Sequence, residues 1–210
     1  MHSDVIESLV KASLPALDQA LVNYRSVAIG LGSAQQNLLL AEVERRIRQN
    51  REVLMRVIQL VTPTLDRVLF TISEVVLHGS DAGQTALNAS SEVTDEVWFL
   101  TEAFYWNAFR ALNIFWGQGI KVGEQRGLPG IGITANRNLG VCLVRNQLIE
   151  HPELVGGSLS LNPYGSGPAI GSWAVEEGAI SITDEGLFVN AQEWISYVTR
   201  RLEVGTNAVG

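Results

Sequence analysis

The sequence predicts a mainly α protein: a helical bundle with long antiparallel helices, extended by a small C-terminal β-hairpin region and a final helix. Three observations predict it. Apolar residues recur at steps of three and four from the N-terminus to about position 150, the period of helices with one buried face. Glycine, proline and capping residues break that pattern at only a few points. Beyond position 153 the period shortens and glycine and proline become dense, as in short strands and turns. The division that follows is a helical bundle over 1–153, and a β-hairpin appendage with the C-terminal helix over 154–210, packed on the same domain.

Composition bounds the function. A chain of 210 residues with 46% apolar and 18% charged residues is a folded one, able to bury a core in one domain. A net charge of −7 opposes broad attraction to nucleic acid or an anionic membrane, so any nucleic-acid role needs a local basic patch. The single cysteine, Cys142, excludes a disulfide framework and a cysteine-based zinc site, and the sequence calls for neither metal nor cofactor. With no basic leader and no apolar run of membrane-spanning length, the expectation is a cytoplasmic protein without membrane attachment.

The first helix is expected over Asp4–Ala28, where Ile6, Val10, Leu14, Leu17, Leu21, Tyr24 and Ala28 share a face; Pro15 predicts a kink or a restart. Gly30-Leu31-Gly32 ends it, and Ser33 with Gln36 forms a capping box for the next. That second pattern runs from Ala34 towards Leu77. Leu40, Val43, Ile47, Leu54, Val57, Ile58 and Val61 line its apolar side. At Thr62-Pro63 either a new helix is capped or one long helix kinks. Arg45, Arg46, Arg48, Arg51 and Arg56 alternate with Glu42, Glu44 and Glu52. This reads as a solvated face laced with i,i+4 pairs more readily than as a phosphate-facing stripe. His78 reads as a helix end, and 79–91 as a loop of small polar residues.

The third helix, Glu92–Trp116, is the most aromatic segment and predicts burial on more than one side. Glu102 and Arg110 lie two turns apart on its narrower polar side. The glycine-rich stretch 117–134 lacks the Lys-Ser/Thr of a phosphate-binding loop and the glycine spacing of a dinucleotide fingerprint, so it reads as a connection. A fourth helix is expected over Asn136–Glu150. Strand-like segments follow at 158–162, 169–176 and 179–183, with a hairpin turn at Glu177-Gly178 and a last short strand at Leu187–Val189. Asn190 with Glu193 then caps a helix over Ala191–Leu202, and 205–210 should fray.

One stretch concentrates chemistry: Arg145-Asn146-Gln147-Leu148-Ile149-Glu150-His151, followed by Pro152-Glu153. Pro152 pushes His151 out of the helical region, placing it at a helix C-terminus. That electronegative end raises an imidazole's pKa and suits it to general acid–base work. Six residues along a helix rotate side chains about 120° apart over about 9 Å, so Arg145 and His151 do not meet automatically. An unwound helix end, a reaching arginine or a second subunit would have to complete the site.

The R-N-x4-H stretch, together with the upstream aromatic helix F-Y-W-N-A-F-R-A-L, resembles the HEPN superfamily, helical bundles of toxin–antitoxin, abortive-infection and other defence systems. The resemblance covers about positions 34–153; the strand-rich remainder departs from the minimal four-helix bundle. It implies a metal-independent endoribonuclease acting on RNA as a homodimer, with two motifs facing each other across a cleft and no cofactor. By resemblance His151 is the general acid–base, Arg145 holds the phosphate and Asn146 orients the scissile group or the histidine. Glu150, Glu102, Arg110 and Tyr105 are auxiliary candidates. The implied partner is an antitoxin, including a nucleotidyltransferase-like one. A different class of function stays open: a catalytically silent dimeric module that binds a partner protein or small ligand, with Arg145 a structural ion-pair residue.

Overall fold

The computed structural model describes residues 3–78, 81–117, 127–132, 135–145 and 187–210, and the backbone alone for 3–7, 61–78, 81–95 and 97–98. Helices dominate the described residues, which contain no strand: α1 (Ser3–Ala28), α2 (Ala34–His78), α3 (Asp81–Phe115), α4 (Gly140–Arg145) and α5 (Leu187–Val209). The expected strands at 158–183 and their hairpin turn lie outside the described residues.

The helices form where the apolar period required them. Val10, Leu14, Leu17, Leu21, Tyr24 and Ala28 of α1 are all buried, as are Leu40, Val43, Ile47, Leu54, Val57 and Ile58 of α2. Each valine, leucine or isoleucine among them contributes about 1.5–3 kcal/mol by leaving water. The capping box closes as expected: the Ser33 amide donates to Gln36 Oε1 at 2.9 Å, and the Gln36 amide to Ser33 Oγ at 3.3 Å. Both α1 and α2 run unbroken through Pro15 and Pro63, so neither proline restarts a helix.

Packing follows two main pairings, α2 along α3 and α1 along α5, with α4 bridging α3 and α5. Contacts between side chains give the directions. Arg25–Glu44 and Asp18–Arg51 ion pairs make α1 and α2 antiparallel, and Arg46–Asn107 and Arg56–Glu96 do the same for α2 and α3. The α1–α5 pair is instead parallel: Ser13 hydrogen-bonds Gln192 at 3.1 Å near one end, and Tyr24 abuts Gly205 near the other. The bundle is therefore antiparallel only in its first three long helices.

Several boundaries differ from expectation. The loop expected at 79–91 is helical from Asp81 onward, because alanine and glutamine there are good helix formers and α3 continues along α2. Leu187–Val189 is the first turn of α5 and not a strand. Leu187, Phe188, Ala191, Trp194, Ile195, Val198 and Leu202 keep helical spacing and are all buried, and this long period overrides the short apolar run. Asn190 consequently sits inside α5 and caps nothing.

The tail does not fray. Helix α5 continues to Val209, and residues 127–132 of the glycine-rich connection are seated on it. Tyr24 Oη donates to the Pro129 carbonyl at 2.7 Å, while Leu128 and Ile131 are buried. Gly130 has φ +69°, and a Cβ there would lie 2.7 Å from Val209 Cγ1. At Gly205 a Cβ would come within 2.7 Å of both Ile131 and Tyr24. The glycines let the connection and α5 approach more closely than side chains permit.

Finally, the helix expected from Asn136 begins only at Gly140. The Asn138 amide donates to Asn136 Oδ1 at 3.2 Å, a turn that competes with helix, and 146–150 lie outside the described residues.

Candidate functional site

Helix α4 is short, and its placement rests on α5. The Gly140 amide donates to Glu193 Oε2 at 2.8 Å. Its Cα lies so close to Asn190 that a Cβ would overlap Oδ1 and reach 2.8 Å from Cγ. Asn190 is fully buried and donates from Nδ2 to Tyr105 Oη at 2.9 Å. Gly140, Asn190 and Tyr105 therefore form one buried chain of contact from α4 through α5 to α3.

At the other end of α4, Arg145 lays its guanidinium over Phe109, 4.3 Å from the ring centroid, and within 5.7 Å of the Trp106 centroid. Arg137, in the turn before α4, stands 5.6 Å from the same Phe109 ring and 5.0 Å from Trp116. Two guanidiniums thus converge on the aromatic face of α3. Each contact of this kind contributes about 0.5–2 kcal/mol. In an acidic chain, this is a local concentration of positive charge on a rigid support.

The remaining expected site residues divide. Asn146, Glu150 and His151 lie outside the described residues. Glu102 is half-buried and Arg110 exposed. With Trp106 between them at i,i+4 spacing they share one outward face of α3, to which Phe99, 68% exposed, and Trp106, 39% exposed, also belong. Arg145 and Arg110 are thus both neighbours of Trp106.

Tyr105 is elsewhere. It is fully buried, its ring meets Phe104 edge-on at 5.3 Å, and Phe104 meets Trp194 in the same way at 5.9 Å. Burial pushes its phenol far above the ordinary range, with the Asn190 hydrogen bond opposing, so it is a core tether at neutral pH.

The arginines of α2 resolve into pairs. Arg45 and Arg46 both hold Glu42, at 2.7 and 2.8 Å; Arg48 and Arg25 converge on the buried Glu44 at 3.3 and 3.2 Å. Arg51 reaches Asp18 and Arg56 reaches Glu96. Burial raises the Glu42 pKa, but the hydrogen bonds and charges of Arg45 and Arg46 outweigh it and leave a net lowering. The stripe is a laced helix face that also clips α1 and α3 to α2.

Cys142, on α4, is buried. Desolvation pushes its thiol up to about 12 against the opposing charges of Arg137 and Arg145, so it stays protonated at neutral pH and is no nucleophile. Among the described residues no cluster of His, Cys, Asp or Glu is arranged to hold a metal ion, and no helix is long and apolar enough to cross a membrane. Two shallow clefts, of about 410 Å³ between α1 and α5 and about 330 Å³ between α2 and α3, are lined by neither Arg137 nor Arg145.

Arg137 and its aromatic platform went unread in the sequence. Arg137 stands in an Asn-Arg-Asn turn that matches no motif, and the rings involved, Phe109 common to both arginines, Trp116 under Arg137 and Trp106 under Arg145, read simply as part of a buried helix. Comparison of the chain with protein-family models, curated proteins and solved structures returns no match.

Proposed function

We propose that this chain is a HEPN-like, metal-independent endoribonuclease of a toxin–antitoxin or related defence system, working as a homodimer under the control of an antitoxin partner. The single observation that carries the reading is the fixed Arg145 guanidinium, held on Phe109 and Trp106 at the end of α4 with Arg137 beside it. A pre-positioned cation is what stabilisation of a charged phosphorane transition state requires. In this reading the HEPN-like core spans about 34–153, and the region 158–183 is a hairpin addition.

The chemistry is in-line transesterification. The ribose 2′-OH attacks the adjacent phosphorus while His151 takes its proton, and the P–O5′ bond breaks. The products are a 2′,3′-cyclic phosphate and a 5′-OH that has gained a proton. Arg145 binds the non-bridging oxygens and their growing charge, Asn146 orients the scissile group, and the facing motif of the second subunit completes the site.

Purified protein is expected to cut RNA in EDTA, leaving cyclic phosphate ends. Arg145→Ala and His151→Ala should each lower the rate at least 100-fold. Cutting that persists in both variants overturns the assignment. A wild-type protein that never cuts, with Arg145→Ala losing several degrees of thermal stability, makes Arg145 structural.

A specific observation also favours the second reading, a silent module that docks a partner: Phe99 and Trp106 expose their rings on one face of α3. Phe99→Ser should then abolish self-association in light scattering without changing the far-ultraviolet circular dichroism.

A further inference from the structure

We propose that Arg201, on α5, is the centre of a phosphate-binding site separate from Arg145. Its Nε and Nη2 are both sequestered from solvent, and neither has a hydrogen-bond partner among the described residues. These two nitrogens form the side-on edge of the guanidinium, where two N–H groups point in parallel and match two oxygens of one oxyanion. Arginine is always charged, and buried donors in folded proteins are almost always satisfied. A buried fork with no partner among the described residues has the two parallel donors that an oxyanion would satisfy.

The surroundings fit. Gly132 lies beside the fork, since a Cβ there would stand 3.8 Å from Nη2, and Gly132 itself is exposed. One turn earlier on the same face of α5, Tyr197 accepts a hydrogen bond from Trp116 Nε1 at 3.0 Å, which leaves its own proton for an acceptor. Arg200, the residue before Arg201, is exposed and adds positive charge. The fork and the tyrosine hydroxyl supply three donors from two side chains, more than a carboxylate's two oxygens use in one plane and well suited to a tetrahedral phosphate. Nothing in this site involves Arg145, Asn146 or His151, so it stands or falls independently of the ribonuclease reading.

The test is thermal denaturation of the full chain in inorganic phosphate, at constant ionic strength set with chloride, beside a parallel acetate series. Wild type should show a saturable rise of about 3 °C in phosphate and a smaller one in acetate. Arg201→Gln should lose the rise, and Arg201→Lys, which keeps the charge but not the fork, should lose most of it. In phosphate-free buffer Arg201→Gln should melt no lower than wild type, because an unsatisfied charge is removed. An equal rise in wild type and Arg201→Gln would reduce the effect to general salt stabilisation and overturn the proposal. So would the absence of any rise, an acetate response matching that of phosphate, or strong destabilisation by Arg201→Gln without phosphate.

Discussion

Replacing Gly140 by alanine adds one methyl group at the point where α4 touches α5, and its cost can be worked out from the neighbours. The new Cβ overlaps Asn190 Oδ1 and approaches Asn190 Cγ at 2.8 Å and Glu193 Oε2 at 3.3 Å. Asn190 cannot move aside freely, because it is fully buried and its Nδ2 is committed to Tyr105. Overpacking of this kind costs about 1–3 kcal/mol. Breaking the Asn190–Tyr105 bond would leave two buried polar groups partly unsatisfied, at about 1–3 kcal/mol more. A loss of about 3 kcal/mol follows, equivalent to about 6–12 °C in Tm for a domain of this size. Urea titration should show a lower midpoint with an unchanged slope. In the Asn190→Ala background the same methyl meets space, so the two substitutions should be strongly non-additive. A Gly140→Ala protein within about 1 kcal/mol of wild type, or an additive double mutant, would refute the reasoning. Because α4 also carries Arg145, the substitution should lower any RNA cleavage as well.

Tyr105→Phe should cost about 1–2 kcal/mol by denaturant titration, since Asn190 loses its acceptor. Cys142 should resist a disulfide reagent at pH 8 in native protein and react at once in denaturant. Its thiol holds its proton to about 12 in the fold against an ordinary 9, so the stability this lends is complete below pH 9 and is lost as pH rises from there toward 12. Cys142→Ala should flatten that alkaline decline, and equal decline in both proteins would contradict the burial of the thiol.

The helices were legible because burial and period coincide. Every described apolar residue assigned to the inner faces of α1 and α2 is buried, and the Ser33–Gln36 box caps α2. Other features depend on contacts that a linear reading cannot contain. Asn190 followed by Glu193 has the form of a cap, yet Asn190 pairs with Tyr105, 85 positions away, and Glu193 caps Gly140, 53 positions away. Leu187–Val189 alone carries either period, and only the buried side chains through Leu202 settle it as helix. Of the candidate site, Arg145 could be singled out from its sequence context. Its support was not visible, because the rings of Trp106, Phe109 and Trp116 belong to a helix whose apolar residues cover most of its circumference. The paired state of Arg45–Arg56 was legible in its local part, Glu42 and Glu44. The links to Asp18, Glu96 and Asn107 were not.

The parallel union of α1 with α5 sets an order of events on the ribosome. Ser13 and its partner Gln192 are 179 positions apart. At about 5–20 residues per second, α1 waits about 10–35 s for the helix that covers it. The α2–α3 hairpin, whose halves are adjacent in sequence, can close in the meantime. Until the last turn of α5 emerges, the apolar side of α1 is a ready surface for chaperones or for other nascent chains. A truncation that removed α5 would leave it so permanently.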